Sequence, residues 1–327
     1  MEFEVSIIVP VYNVNRYIKE SIESICLQKF DSYEVVLVDD GTEDNSIEIA
    51  EEVLKKHSIS YDVVKKDNGG LPSARNAGIK AAKGKYVCFI DSDDLISCSH
   101  INDLWTICND HQLVAAFSLF QLTYENNRRG NPTIDNVGRV INREQLLADF
   151  LVRKLRIHCC TLLVEKQYLI DNNIFFNEKL RYGEDIDFMW RLFPTLTCVG
   201  CTENESYLYL QRANSLMSTQ NIDRVEVLLG EFWKTVNLLR INYPNDEKIW
   251  KYLYGKASLA FYRTFAESSD YELFMELLDK TNYKSVIKSN LTIKSTKLRI
   301  LALSLLISPK LFVFIVKHNR ETISTPK

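Results

Sequence analysis

The chain has 327 residues, is 46% hydrophobic and 25% charged, and holds only 11 Gly and 7 Pro. That balance supports a sizeable core and excludes a disordered or collagen-like chain. The net charge of −3 hides an asymmetry: residues 1–279 hold 30 Lys and Arg against 42 Asp and Glu, while residues 280–327 hold 10 against 1. The only basic region is therefore also the most apolar one, and without aromatics interleaved for base stacking it argues against nucleic-acid binding.

The first 95 residues alternate strand and helix. "VSIIVPVY" is an apolar, β-branched run of strand length, followed by "VNRYIKESIESICLQ" with Tyr17, Ile18, Ile22 and Ile25 at helical spacing. "YEVVLVDD" reads as the second strand. "DNSIEIAEEVLKKH" reads as a helix capped by Asp44, Asn45 or Ser46. "SYDVVKK" is a third strand. "LPSARNAGIKAAKG" is a helix with Pro72 near its first turn and Gly84 at its end, and "KYVCFID" is a fourth strand. The chain starts straight into a strand without a basic leader and cleavage site, which reads as non-secreted. Strands apolar throughout, alternating with helices, predict a Rossmann-like α/β domain: a mainly parallel sheet covered by helices on both faces.

Beyond Leu95 the pattern loosens. Ile101–His111 reads as a helix, "LVAAFSLFQLTY" as a strand, "ENNRRGNPTIDNVGR" as a polar loop and Arg143–Arg153 as a helix. "HCCTLLV" reads as a strand, "GEDIDFMWRLF" as a helix and "SYLYLQR" as a strand. From Asn221 only helical periodicity is left, over Glu226–Arg240, Lys248–Glu267, Tyr271–Leu278 and the tail. The expected domains are 1–219 and an all-helical 220–327. The eight cysteines lie mostly in apolar segments, and Cys198-Val-Gly-Cys201 has no second pair, so they read as buried thiols in a reducing compartment. The tail, with "LRILALSLLISPKLFVFIVK" and no acid from Lys280 to Arg320, reads as an element lying on an anionic membrane surface through 292–320. Pro309-Lys310 interrupts it, which argues against a span.

Ligands of parallel α/β sheets bind beyond the carboxyl ends of the strands. Those ends carry Pro10, Tyr12 and Asn13; Asp39 and Asp40; Asn68, Gly69 and Gly70; and Asp91, Ser92, Asp93 and Asp94. Three aspartates in four positions need a positive partner. A Mn²⁺ or Mg²⁺ ion on Asp91 and Asp93 would supply it, completed by substrate phosphates. The alternative is a set of solvated aspartates with Asp93 or Asp94 capping a helix. Tyr12 suits stacking on a base, Asp40 suits a base N–H, and Arg75 suits a ribose or phosphate, or else a surface salt bridge. Glu184, Asp185 and Asp187 read as ordinary first-turn acids or as catalytic ones.

Together "SIIVPVYNVNRYIKESIESICLQ", "EVVLVDDGTEDNS", "NGGLPSARNAGIKAAKGKYVCFIDSDD" and "GEDIDFMWRL" resemble a family 2 glycosyltransferase of the GT-A fold, of the bacterial surface-polysaccharide type. The resemblance is dense over 4–97, thinner to about 219, and does not extend to the C-terminal helices. It implies inverting transfer from a nucleotide sugar, most often UDP-linked; the expected reaction moves a hexose or N-acetylhexosamine to a glycan or lipid-linked oligosaccharide, with the basic apolar tail pointing to the cytoplasmic face of the membrane. By position it implies base contacts at Pro10, Tyr12 and Asp40, and an Asp-x-Asp at Asp91 and Asp93 with Asp93 the direct metal ligand. It also implies Asp185 as catalytic base beside Glu184, and Arg212 and Ser215 facing the diphosphate. Two segments depart from the pattern: Gly41-Thr42-Glu43-Asp44 has Thr in place of Ser, and Cys159, Cys160 and Thr161 stand on the strand expected to border the acceptor. A catalytically silent scaffold of this fold would lack the metal or base carboxylates, and all are present. A nucleotidyltransferase or dehydrogenase would need glycines after strand one, where "PVYNVNRY" has none.

Overall fold

The fold was read from a computed structural model. It describes residues 3–124, 138–151, 155, 157–181, 183–211, 222–246 and 250, and from there 253, 255, 258–259, 262–263, 265–267, 269–281, 283–288, 291 and 296–321. The chain forms two compact units, Met1–Ser215 and Leu216–Lys327.

The first unit is built on an eight-stranded sheet, and its first four strands are those the alternation predicts. They are β1 (Val5–Val11), β2 (Tyr33–Asp39), β3 (Tyr61–Lys65) and β4 (Tyr86–Phe89), parallel in the order β3-β2-β1-β4. β1 and β4 are buried at every position, as a central strand covered on both faces must be. Helices α1 (Ile18–Cys26) and α2 (Ser46–Lys56) follow steps in one direction across the sheet and pack on each other. The next step reverses past β1, so right-handed crossover sends α3 (Leu71–Ala81) to the opposite face, against β1 and β2. The β1–β4 junction is thus the switch point of the sheet, where its ligand crevice opens.

Gly84 does not end α3. The helix stops at Ala81, and Gly84 starts the approach to β4, where its N–H donates to Ser6 Oγ at 2.8 Å and an added Cβ would stand 2.6 Å from the Ser6 nitrogen. The expected strand at 113–124 divides into β6 (Ala115–Phe117) in the main sheet and β7 (Phe120–Tyr124) in a second sheet. β5 (Leu95–Ile96) precedes them, before helix α4 (His100–His111). The main sheet is completed by β8 (Arg139–Asn142), β9 (Leu162–Glu165) and β10 (Cys198–Cys201), with β9 antiparallel to β4 and β6. The second sheet is β5-β11-β7, with β11 at Tyr207–Gln211. Further helices are α5 (Arg143–Leu151), α6 (Lys166–Asp171) and α7 (Glu184–Leu192). Cys198 and Cys201 belong to a strand, and all eight cysteines are free thiols.

The second unit is helical where described, with Ile222–Asn242, Tyr271–Lys280, Tyr283–Lys288, Thr296–Ile307 and Pro309–Glu321 as its helices. Its core joins Tyr262, Phe265, Phe274, Leu277, Leu305 and Phe312. No helix among the described residues is long and apolar enough to cross a membrane.

Candidate active site

The strand ends gather a polar rim at the switch point. At the end of β1, Pro10 is buried and Tyr12 projects with 48% of its surface exposed. Asn13 adopts a left-handed conformation, and its side-chain oxygen accepts from the Glu43 N–H at 3.0 Å. The acidic run after β2 is in part a hydrogen-bonded turn: Asp39 Oδ1 accepts from the Thr42 N–H at 2.9 Å. Asp44, rather than Asn45, takes the Ser46 N–H at 3.0 Å at the start of α2.

Asp40 was expected to read a base N–H. It is buried, and both of its oxygens are already engaged. Oδ1 accepts from Lys66 Nζ at 2.6 Å and the Gly69 N–H at 3.0 Å, and Oδ2 from the Gly70 N–H at 2.8 Å. A carboxylate taken out of water must be paired, and this one is paired by the 66–70 turn. Asn68 is exposed at the tip of that turn. Gly70, with φ +83°, is the N-cap of α3.

Arg75 on α3 is neither a surface ion pair nor open to a phosphate: it is 0% exposed. Its Nη2 meets Asp91 Oδ1 at 2.8 Å and its Nη1 meets Glu184 Oε1 at 3.2 Å. Phe176 lies under the guanidinium, 5.1 Å from the ring centre. A residue at the start of α3 thus ties the end of β4 to the start of α7. Burial disfavours the charged carboxylate, but the Arg75 and His158 charges outweigh it and hold Asp91 below the usual range. Glu184 goes the other way: burial and the neighbouring Asp185 push it up against the pull of Arg75.

The three aspartates of "DSDD" separate by environment. Asp91 faces Arg75. Asp94 is buried and structural: its carboxylate accepts from Tyr207 Oη at 2.6 Å and from the Leu210 N–H at 2.7 Å, which clamps the loop to β11. Burial and the Asp91 charge raise Asp94 to about 7. Asp93 is part-exposed between them, and Ser92 is buried. A hard divalent cation suits this pair by its chemistry, because both side chains offer only oxygen.

A softer set fits less well. Among the described residues, His158, Cys159 and Cys160 bring three potential ligand atoms within 4.8 Å of one another. However, His158 Nδ1 accepts the Cys160 N–H at 3.3 Å, Arg75 Nη2 lies 3.5 Å from Cys160 Sγ, and burial pushes the Cys160 thiol up. A cation there would meet a guanidinium and an un-ionised thiol.

Helix α7 begins at Gly183, whose φ of +76° suits glycine. Phe188, Met189 and Leu192 anchor it in the core, and Asp185 stays part-exposed in its first turn. Asp185 Oδ2 lies 3.5 Å from His158 Nε2. Asp187 is not part of this rim, since it is buried and paired with Arg191 at 2.7 Å. Arg212 and Ser215 lie outside the described residues, as does most of the polar loop read at 125–139. Four residues of the rim were missed from sequence: Lys66, His158, Tyr207 and Arg181, whose Nη1 stands 3.3 Å from where a Cβ on Gly70 would be. Arg181 alone had a visible cue, its place two residues before Gly183.

Residues 6–168 match the family model described as glycosyl transferase family 2. The chain is similar to the uncharacterized glycosyltransferase EpsJ of Bacillus subtilis, at 34% identity over 215 residues, covering 65% of this chain and 62% of EpsJ. It is similar to the minor teichoic acid biosynthesis protein GgaB of B. subtilis, at 30% identity over 254 residues, covering 76% of this chain and 27% of GgaB. It thus spans less than two thirds of the length of either relative. The crystal structure of Staphylococcus aureus TarS 1-349 in complex with UDP-GlcNAc matches with a TM-score of 0.73 at 21% identity, over 99% of this chain and 93% of that one. That likeness shows the fold, a GT-A sheet followed by a helical region.

Proposed function

This chain carries a glycosyl transferase family 2 domain, and from that premise we propose that it is an inverting glycosyltransferase. It moves a hexose or N-acetylhexosamine from a UDP-sugar to a glycan acceptor in surface-polysaccharide synthesis. The observation that carries the reading is Arg75, which joins the Asp-x-Asp strand end to the Glu184-Asp185 helix start at the switch point of the sheet.

Tyr12 gives an exposed ring on which the base stacks, and Pro10 and Asn13 shape its edge. Asp40 acts by ordering the Asn68-Gly69-Gly70 turn that floors the nucleotide. Ser92 and Glu184 line the donor side. Asp93, with Asp91, would hold Mn²⁺ or Mg²⁺, which when bound neutralises charge on the departing diphosphate. The family resemblance adds Arg212 as a contact to the diphosphate.

Asp185 takes the proton of the acceptor hydroxyl while that oxygen bonds to the anomeric carbon and the bond to the diphosphate oxygen breaks. UDP leaves, and one displacement inverts the centre. A base so placed contributes roughly 10²–10⁴-fold. Arg75 contributes by keeping Asp91 ionised and by fixing Glu184 beside the base.

The acceptor is lipid-linked, and the enzyme works at the cytoplasmic face of the membrane. Support comes from the last two helices. Thr296–Ile307 is apolar nearly all round, yet Ala302 and Leu305 face the core while Ile300, Leu303 and Ile307 stay exposed, Ile307 at 74%. Leu311 and Phe314 extend the patch onto Pro309–Glu321, Phe314 at 65%. Lys297, Arg299 and Lys310 lie in exposed positions on these two helices. An apolar face framed by cations fits an anionic bilayer surface.

The test is release of nucleoside diphosphate from a panel of UDP-, GDP-, TDP- and CMP-sugars, UDP-GlcNAc first, with Mn²⁺ or EDTA. Turnover of one UDP-sugar, lost with EDTA and in Asp93→Ala, is expected. Turnover unaffected by either would contradict the metal seat, and neither binding nor turnover of any nucleotide sugar would contradict the donor.

A further inference from the structure

His158 is held more firmly than a rim histidine needs to be. It is the N-cap of the Cys159–Thr161 turn, with Nδ1 accepting the Cys160 N–H at 3.3 Å and its own N–H meeting Thr161 Oγ1 at 3.4 Å. Its ring is flanked by Phe120 of β7, with centroids 6.5 Å apart, and by Tyr209 of β11, with centroids 5.6 Å apart. Burial disfavours the charged ring, but Cys160, Asp185 and Asp91 push His158 up to about 10, so Nε2 carries a proton whether Nδ1 accepts the Cys160 N–H or is itself protonated. Nε2 faces Asp185 Oδ2 at 3.5 Å, and the two side chains are 20% and 21% exposed. Both are therefore part-exposed and within ion-pair distance of each other.

We infer that His158 is a positioning residue for the base: its Nε2–H holds Oδ2 of Asp185 and so turns Oδ1 towards the acceptor hydroxyl. This rests on the reading of Asp185 as the base. The geometry supports it in three ways. Nε2 carries a proton in either charge state of the ring, so the imidazole presents a donor to Asp185. The two aromatic rings, from strands of the second sheet, limit how far the imidazole can turn. Asp185 itself sits in the first turn of α7 with Glu184 drawn away to Arg75, so among the described ion pairs His158 is its partner. A base whose carboxylate swings freely loses alignment, and misplacement by about 1 Å costs roughly 10²-fold.

A merely structural role, capping the Cys159–Thr161 turn, makes the opposite prediction, and two variants separate them. In His158→Asn the side-chain oxygen takes the place of Nδ1 and keeps the cap, since Asn is a strong N-cap residue, but the side chain is too short to reach Asp185. In His158→Gln the amide reaches the place of Nε2 and restores a donor to Asp185, but the cap is lost. The measurement is UDP release from the UDP-sugar that the wild type turns over, UDP-GlcNAc first, with water as acceptor. The positioning role predicts that His158→Asn lowers kcat by roughly 10²-fold with donor KM unchanged, and that His158→Gln recovers most of the loss. A near-normal Asn variant with an impaired Gln variant would assign His158 to the turn alone and overturn the inference. So would equal losses in both variants, or none in either. A wild type that releases no UDP would instead remove the proposed activity, and the inference with it.

Discussion

Arg75 has no exposed surface, yet it serves two carboxylates from elements 16 and 109 residues away. Removing one member of such a buried set leaves charge with no partner, which typically costs about 3–5 kcal/mol. Arg75→Met is expected to lower unfolding stability by that order in urea titration, whereas Arg75→Lys, which keeps the charge but not the fork, is expected to fall in between. A Met variant as stable as wild type would mean that Asp91 and Glu184 need no counter-charge. The sequence pointed to a positive partner for "DSDD" and suggested a metal. It did not show Arg75 in that role, because the pairing exists only once the fold brings α3, the end of β4 and the start of α7 together. Nor did it show that Asp94 turns to Tyr207, since three aspartates in four positions look alike until burial separates them.

At the scale of elements, the core strands were legible because β1, β2 and β4 are apolar on both faces and bounded by polar turns. The break between β6 and β7 was not. It falls at Ser118-Leu119, which breaks no periodicity, and is made by backbone bonds to Thr161 and Asn204. Helix α4 carries a pH-dependent element. His100 is buried with Nδ1 2.7 Å from Ser206 Oγ, and burial lowers it from 6.5 to about 3. The fold thus favours neutral His100, and the unfolded chain binds the extra proton between those values. Stability from this group is complete above pH 6.5 and is lost as pH falls towards 3, with a slope of at most about 1.4 kcal/mol per pH unit. Unfolding midpoints measured against pH should fall less steeply in His100→Gln than in wild type over that window. Parallel curves would place the acid sensitivity elsewhere.

At the scale of the whole chain, charge counting set residues 280–327 apart as basic, whereas the structure divides into compact units at Ser215 and Leu216. What charge counting could not supply was which apolar residues of the tail stay outside its core. Ile307→Asp with Phe314→Asp changes only exposed positions, and each side chain buried in lipid is worth about 1.5–3 kcal/mol. The double variant is therefore expected to bind phosphatidylglycerol vesicles at least about tenfold more weakly than wild type while keeping UDP-sugar turnover. Equal flotation of both proteins would remove this face from the membrane, and a wild-type dimer broken by the same changes would assign it to a second copy of the chain.

The most direct test of the central claim is Asp185→Asn, measured for UDP-sugar binding by calorimetry and for UDP release in parallel. With Asp185 as the base, binding is unchanged and the release rate falls by roughly 10²–10⁴-fold. A variant that binds and turns over like wild type would contradict Asp185 as the base, and with it the chemistry proposed for the cleft.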